Sequence, residues 1–115
     1  MTTVLIVDDD DGIRESLADV LGDLGYDVVT APHGKAAIDL LRTGTKPGVI
    51  LLDLMMPVMD GWAFREAQQK DASIKDIPVV VITAGDTSDF GQLVTLRKPL
   101  KLDAVMRALA EATAA

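Results

Sequence analysis

The chain has 115 residues, 18 acidic against 11 basic, and a formal charge of −7 with its single His neutral. A hydrophobic content of 49% is enough for a core, which excludes disorder, and the absence of Cys excludes disulfides, thiolate metal sites and a Cys nucleophile. An acidic chain without a basic cluster is also a poor partner for nucleic acid, whose phosphates supply most of that affinity.

Short aliphatic runs alternate with amphipathic stretches from end to end, with no repeat or linker, so one domain is expected over residues 1–115. The first run, at 4–7, stops at four aspartates, so it is neither a signal peptide nor a membrane span, and a cytoplasmic protein is expected. Ile13, Leu17, Val20, Leu21 and Leu24 then mark one helical face, which Gly25 ends. A second strand is predicted at 27–30, and a helix at 35–42 with Ala37, Leu40 and Leu41 inward and Gly44 beyond it. His33 precedes this helix in a Pro-His-Gly turn and reads as a surface residue. The third strand is expected at 49–52. The following helix, at about 62–70, starts after Asp60 and Gly61 and carries Trp62 and Phe64 toward the core or a pocket rim. Met55, Met56 and Met59 read as flexible packing in the loop between them. Strands at 79–82 and 93–96 and a last helix with Leu102, Val105, Met106 and Leu109 at i, i+3, i+4 and i+7 complete the pattern.

Alternation of this kind predicts an α/β fold, a doubly wound parallel sheet of five strands with helices on both faces. In such sheets the functional crevice lies beyond the carboxyl ends of the strands. Strand one ends in Asp8, Asp9, Asp10 and Asp11, strand three in Asp53, strand four in Thr83, and strand five runs into Lys98 and Pro99. Each alone reads blandly, as a helix cap, a turn residue or a solvated charge. Their convergence on one edge points to a functional acidic pocket. Carboxylates this close repel one another unless a proton, a cation or a Lys intervenes. Oxygen donors select a hard divalent ion such as Mg²⁺, and a chain with one His and no Cys argues against zinc. Carboxylates, a hydroxyl, an ammonium and Mg²⁺ are the parts needed for phosphoryl transfer, with Asp53 the best nucleophile.

Taken in order, VDDDDGIR (7–14), LLDLMMPVMDGWAF (51–64), VVVITAG (79–85) and LRKPL (96–100) resemble the receiver domain of two-component response regulators over essentially the whole chain. The resemblance implies a flavodoxin-like strand order 2-1-3-4-5. It implies that Asp53 accepts a phosphoryl group from a sensor histidine kinase or histidine phosphotransfer protein. It further implies that Asp8 and Asp9 hold Mg²⁺ together with Asp53 and the main-chain carbonyl of Met55. Thr83 corresponds to the switch hydroxyl, with the Ala84 amide beside it, Lys98 to the Lys that pairs with the phosphoryl group, and Lys98–Pro99 to a peptide often found cis. Asp10 and Asp11 have no catalytic counterpart and read as caps or solvated charges.

Two features depart from the family. Fourteen residues separate Thr83 from Lys98, and after an edge strand is subtracted only AGDTSDFGQ remains, too short and too Gly- and Asp-rich for an ordinary crossover helix. The fourth helix is therefore expected to be short or missing, with the state of Thr83 read through 84–92 and Phe90 as the anchor. Thr95 stands where the family often carries a switching Tyr or Phe. With nothing but Ala-rich sequence after the last helix, no output domain is expected and any effect passes through an unidentified downstream protein. A haloacid-dehalogenase-like phosphatase could use Asp8, Thr83 and Lys98, but it leaves Asp53 without a task and lacks a later acidic segment. A flavodoxin-like cofactor carrier lacks the phosphate-cradling glycines. A phosphorylation-independent pseudo-receiver sits poorly with a full set of pocket residue types.

Overall fold

In the computed structural model, which describes residues 2–54, 56, 58–84 and 93–113, strands and helices alternate as the sequence predicts. The elements are β1 (Thr3–Val7), α1 (Asp11–Asp23), β2 (Asp27–Ala31), α2 (Gly34–Arg42), β3 (Val49–Asp53), α3 (Gly61–Gln69), β4 (Val79–Thr83), β5 (Val94–Arg97) and α4 (Leu102–Thr113). All strand pairs are parallel, in the order β2-β1-β3-β4-β5. Among the described residues no helix lies between β4 and β5. Residues 85–92, where a short or missing helix and the Phe90 anchor are expected, lie outside the described residues, as does Met55.

Strict alternation along the central strands divides the core in two. Leu5, Val7, Ile50, Leu52, Val79 and Val81 face α2 and α3, where Ala37, Ile38, Leu41 and Phe64 meet them. Val4, Ile6, Val49, Leu51, Val80 and Ile82 face α1 and α4, against Leu21, Val105, Ala108 and Leu109. β3 and β4 are buried throughout, whereas β2 and β5, at the edges, are not. The expected inward face of α1 is only partly realised. Leu21 is buried and Leu17 packs against the core, but Val20 and Leu24 are exposed. Ile38, not singled out by the spacing, is a core residue of α2 and is more deeply packed than Leu40. Phe64 is fully buried, while Trp62 is half-exposed one helical step away.

Helix starts are set by side chains that accept from otherwise orphaned N–H groups. Asp10 Oδ1 accepts from the Ile13 amide at 3.0 Å and Asp60 Oδ1 from the Ala63 amide at 2.9 Å. His33 does the same for α2, its Nδ1 accepting from the Ala36 amide at 3.2 Å. It is thus a structural cap and not merely a turn residue. The helix-ending glycines fall where expected, Gly25 at φ 99° and Gly44 at φ 103°. A buried polar contact closes the α3–β4 connection. The Gln68 amide nitrogen, inside the core, donates to the carbonyls of Ile74 and Ile77 at 2.9 and 3.0 Å, while its oxygen accepts from Arg65 at 2.7 Å.

The capping geometry makes a direct prediction. His33→Ala should lower the unfolding free energy by about 1 kcal/mol, whereas His33→Asp should preserve it, because Asp restores an acceptor at the same position. Urea denaturation measures both.

Candidate functional site

Strand register assembles the site. Val7 pairs with Leu52, so the next residues, Asp8 and Asp53, emerge side by side from adjacent strands. Asp53 pairs with Ile82, which sets Thr83 one step further out, and Thr83 pairs with Arg97, which sets Lys98 one step beyond that. The four residues therefore climb diagonally across three neighbouring strand pairs onto one edge. Lys98 Nζ lies 3.3 Å from Asp53 Oδ2, and its amide donates to the Thr83 carbonyl at 2.9 Å. The Lys98–Pro99 peptide is cis.

Asp8, Asp53 and Thr83 are buried, Asp9 is exposed, and Lys98 is partly covered. Carboxylate oxygens of Asp8, Asp9 and Asp53 lie within 4.8 Å of one another, a grouping that could hold a metal ion. Asp8 Oδ1 accepts from the Asp10 amide at 2.9 Å, but among the described residues its buried Oδ2 has no hydrogen-bond partner. A buried carboxylate oxygen left in this state is costly, and a hard cation is the ligand that would satisfy it. Burial pushes the Asp8 carboxyl up to about 6; the Asp10 amide and Lys98 pull it down, and the nearby charges of Asp53 and Asp9 push it up.

The connection from β3 to α3 is shaped by close packing behind Asp53. The Gly61 amide donates to the Leu54 carbonyl at 3.0 Å, and a Cβ at Gly61 would lie 2.7 Å from the Leu54 Cα and 3.1 Å from the Asp53 carbonyl oxygen. The Met59 carbonyl accepts from the Gly34 amide at 3.2 Å, which ties this loop to the start of α2. Between these anchors Val58 is exposed and holds a φ of 69°, a conformation that is strained for a β-branched residue. Met56 and Met59 pack against the core, as flexible side chains filling a loop. Beside the acidic edge an apolar groove of about 860 Å³ runs between α1 and α4, lined by Ile13, Leu17, Val20, Leu100 and Val105 and also by Lys98. It explains why Val20 of α1 does not meet the sheet.

The sequence-derived residues Asp8, Asp9, Asp53, Thr83 and Lys98 thus share one edge, and Asp10 is a helix cap. One participant escapes sequence reasoning: Arg14 donates to the main-chain carbonyl of Asp8 at 2.7 Å and pairs with Asp11. The spacing of Asp11 and Arg14 on one helical turn hints at their pairing, but no sequence signal announces a side chain bonded to a carbonyl six residues earlier.

Two outcomes follow. Because the Asp8 carboxyl is raised from its ordinary 3.8 to about 6, it holds more proton in the folded than in the unfolded chain between those values. Its contribution to the stability of the cation-free protein should therefore fall as pH rises through that window. Asp8→Asn should flatten this slope and raise the melting midpoint near neutral pH by about 5 °C, read by calorimetry in the presence of a chelator. Gly61→Ala should cost about 1–3 kcal/mol, read by denaturant unfolding, because its methyl group meets the Leu54 backbone.

The sequence pattern of the response regulator receiver domain matches residues 4–110. Among curated relatives, a probable transcriptional regulator, ycf27, of Guillardia theta is 42% identical over 87 residues, which are 75% of this chain and 33% of the relative. Response regulator MprA of Mycolicibacterium vanbaalenii is 38% identical over 120 aligned positions, covering 96% of this chain and 51% of its own. The chain spans a third to a half of the length of these relatives. Among solved structures, the chemotaxis protein CheY4 of Vibrio cholerae superposes with a TM-score of 0.89 at 29% identity, covering 97% of this chain and 98% of that one. A putative response regulator from Chloroflexus aurantiacus gives 0.87 at 30% identity, with 99% and 98% covered. The extent of these matches, together with the strand order and the acidic edge, shows that the chain belongs to the response regulator receiver domain family.

Proposed function

We propose that this receiver domain takes a phosphoryl group onto Asp53 from the phosphohistidine of a sensor kinase or phosphotransfer protein. The observation that carries the reading is the pairing of the Lys98 ammonium with the buried Asp53 carboxylate, beside an Asp8 oxygen that has no hydrogen-bond partner among the described residues. In the transfer an Asp53 carboxylate oxygen attacks phosphorus, the phosphorus–nitrogen bond breaks, and the imidazole leaves with the bonding pair. Lys98 draws close to the phosphoryl oxygens as it shares its donors between them and Asp53. Thr83, at the tip of the next strand, offers a hydroxyl to the same group. Asp8, Asp9 and Asp53 would hold Mg²⁺, with the Met55 carbonyl as a further contact. When bound, Mg²⁺ supplies charge neutralisation for the transferring group.

The role is that of a signalling domain, its chemistry confined to accepting and losing its own phosphoryl group. The acidic surface and the groove lined in part by Lys98 suit a protein donor and a protein target better than nucleic acid. Among the described residues no helix is long and apolar enough to cross a membrane, and we place the exchange in the cytoplasm.

Treatment with acetyl phosphate and Mg²⁺ followed by intact-mass measurement tests the assignment. The wild-type chain should gain one phosphoryl mass, and Asp53→Asn should gain none. Lys98→Ala should slow the gain by on the order of 10². Phosphorylation that survives in Asp53→Asn but disappears in Asp8→Asn would instead support the phosphatase-like reading.

A further inference from the structure

Asp8 has four groups able to hydrogen-bond: its amide, its carbonyl and two carboxylate oxygens. Three are taken. The amide donates to the Ala31 carbonyl at 3.2 Å, at the end of β2. Carboxylate oxygen Oδ1 accepts from the Asp10 amide at 2.9 Å, and the carbonyl accepts from Arg14 Nη1 at 2.7 Å. The fourth, Oδ2, is buried and has no partner among the described residues, and Asp8 belongs to the three-carboxylate cluster.

Among the described residues, Arg14 supplies the one side chain hydrogen-bonded to these groups of Asp8, the other two partners being main-chain atoms. Its own amide donates to the Asp10 carbonyl at 2.9 Å, its Nη2 pairs with Asp11, and its side chain is only 15% exposed. Every residue from 8 to 11 except Asp9 is therefore tied to Arg14 or through it. A planar guanidinium reaches a carbonyl and a carboxylate at once from a rigid fork, which the single point of an ammonium does not reproduce.

We propose that Arg14 is a positioning residue for the cation site. By holding the Asp8 carbonyl away from the cup, it fixes the Asp8–Asp9 peptide and aims both carboxylates at the place a divalent ion occupies. This inference rests on reading Asp8, Asp9 and Asp53 as the ligands of that ion.

Charge alone makes the opposite forecast. A guanidinium next to an anionic cup repels a divalent cation, so deleting it should tighten binding if electrostatics were its only effect. Positioning forecasts weaker binding despite the lost repulsion. The sign of the change separates the two.

The test is Mg²⁺ and Mn²⁺ titration by calorimetry on the full chain, comparing wild type, Arg14→Lys, Arg14→Gln and Asp8→Asn. Circular dichroism checks that each variant is folded at the titration temperature. Both Arg14 variants should bind at least about tenfold more weakly than wild type, the range expected for a partner that orients a ligand. Arg14→Lys keeps the charge and the apolar stem, so it decides the matter should Arg14→Gln not fold. Wild-type affinity in Arg14→Lys, or tighter binding in Arg14→Gln, overturns the positioning role while leaving the cation site intact. If wild type and Asp8→Asn bind equally, or neither binds, the cation reading itself fails and the role of Arg14 fails with it.

Discussion

Two carboxylates, Asp8 and Asp53, are forced together at the tips of neighbouring parallel strands, and the rest of the edge is organised around making that tolerable. The pairing of Val7 with Leu52 leaves no choice in the matter, because the next residue on each strand must follow the same ladder. A slip of one position in either strand would turn its apolar side chains to the wrong layer of the core, so register and site are protected by the same burial. Burial, with a smaller push from the Asp53 and Asp9 charges, leaves Asp8 with a raised proton affinity, which the Asp10 amide and the Lys98 ammonium only partly offset. The core thus enforces the crowding of charge at this edge.

Most of this arrangement was legible in the sequence, and the reasons are particular. Runs such as 49–52 and 79–82 are continuously apolar because both faces of the central strands are covered, and the polar residue that stops each run is the one that reaches the crevice. Asp10 and Asp60 are common capping residues at the right spacing, so α1 and α3 start where expected. His33 was opaque because imidazole is an infrequent cap, and only geometry shows its Nδ1 facing the Ala36 amide. Val20 and Leu24 have the period of a buried face, but period does not reveal that Val20 borders an open groove or that Leu24, the cap residue at the end of α1, stays exposed. Arg14 was hidden for a different reason: its partner is a main-chain atom, which has no identity in a sequence.

The site also draws on elements that contribute no chemistry. Close approach of Gly61 to Leu54 folds the β3–α3 connection back against the tip of β3, and the Gly34–Met59 contact braces the same connection against α2. Asp53 is held by its ladder on one side and by this brace on the other, so its carboxylate is fixed by backbone contacts on both sides. α1 is fastened differently. It keeps one fully buried residue, Leu21, and the polar ties of Arg14 and Asp10 secure its beginning.

The buried amide of Gln68 bears on where such a scaffold accepts foreign sequence. One side chain closes the α3–β4 connection by serving two carbonyls at once, and a loop lengthened between Asp71 and Ile77 would move one or both out of its reach, leaving polar atoms stranded inside the protein. Tags, sensors or grafted peptides inserted there would be expelled into misfolding. The turn at Gly44, which closes no such contact, is the more permissive place to open the chain.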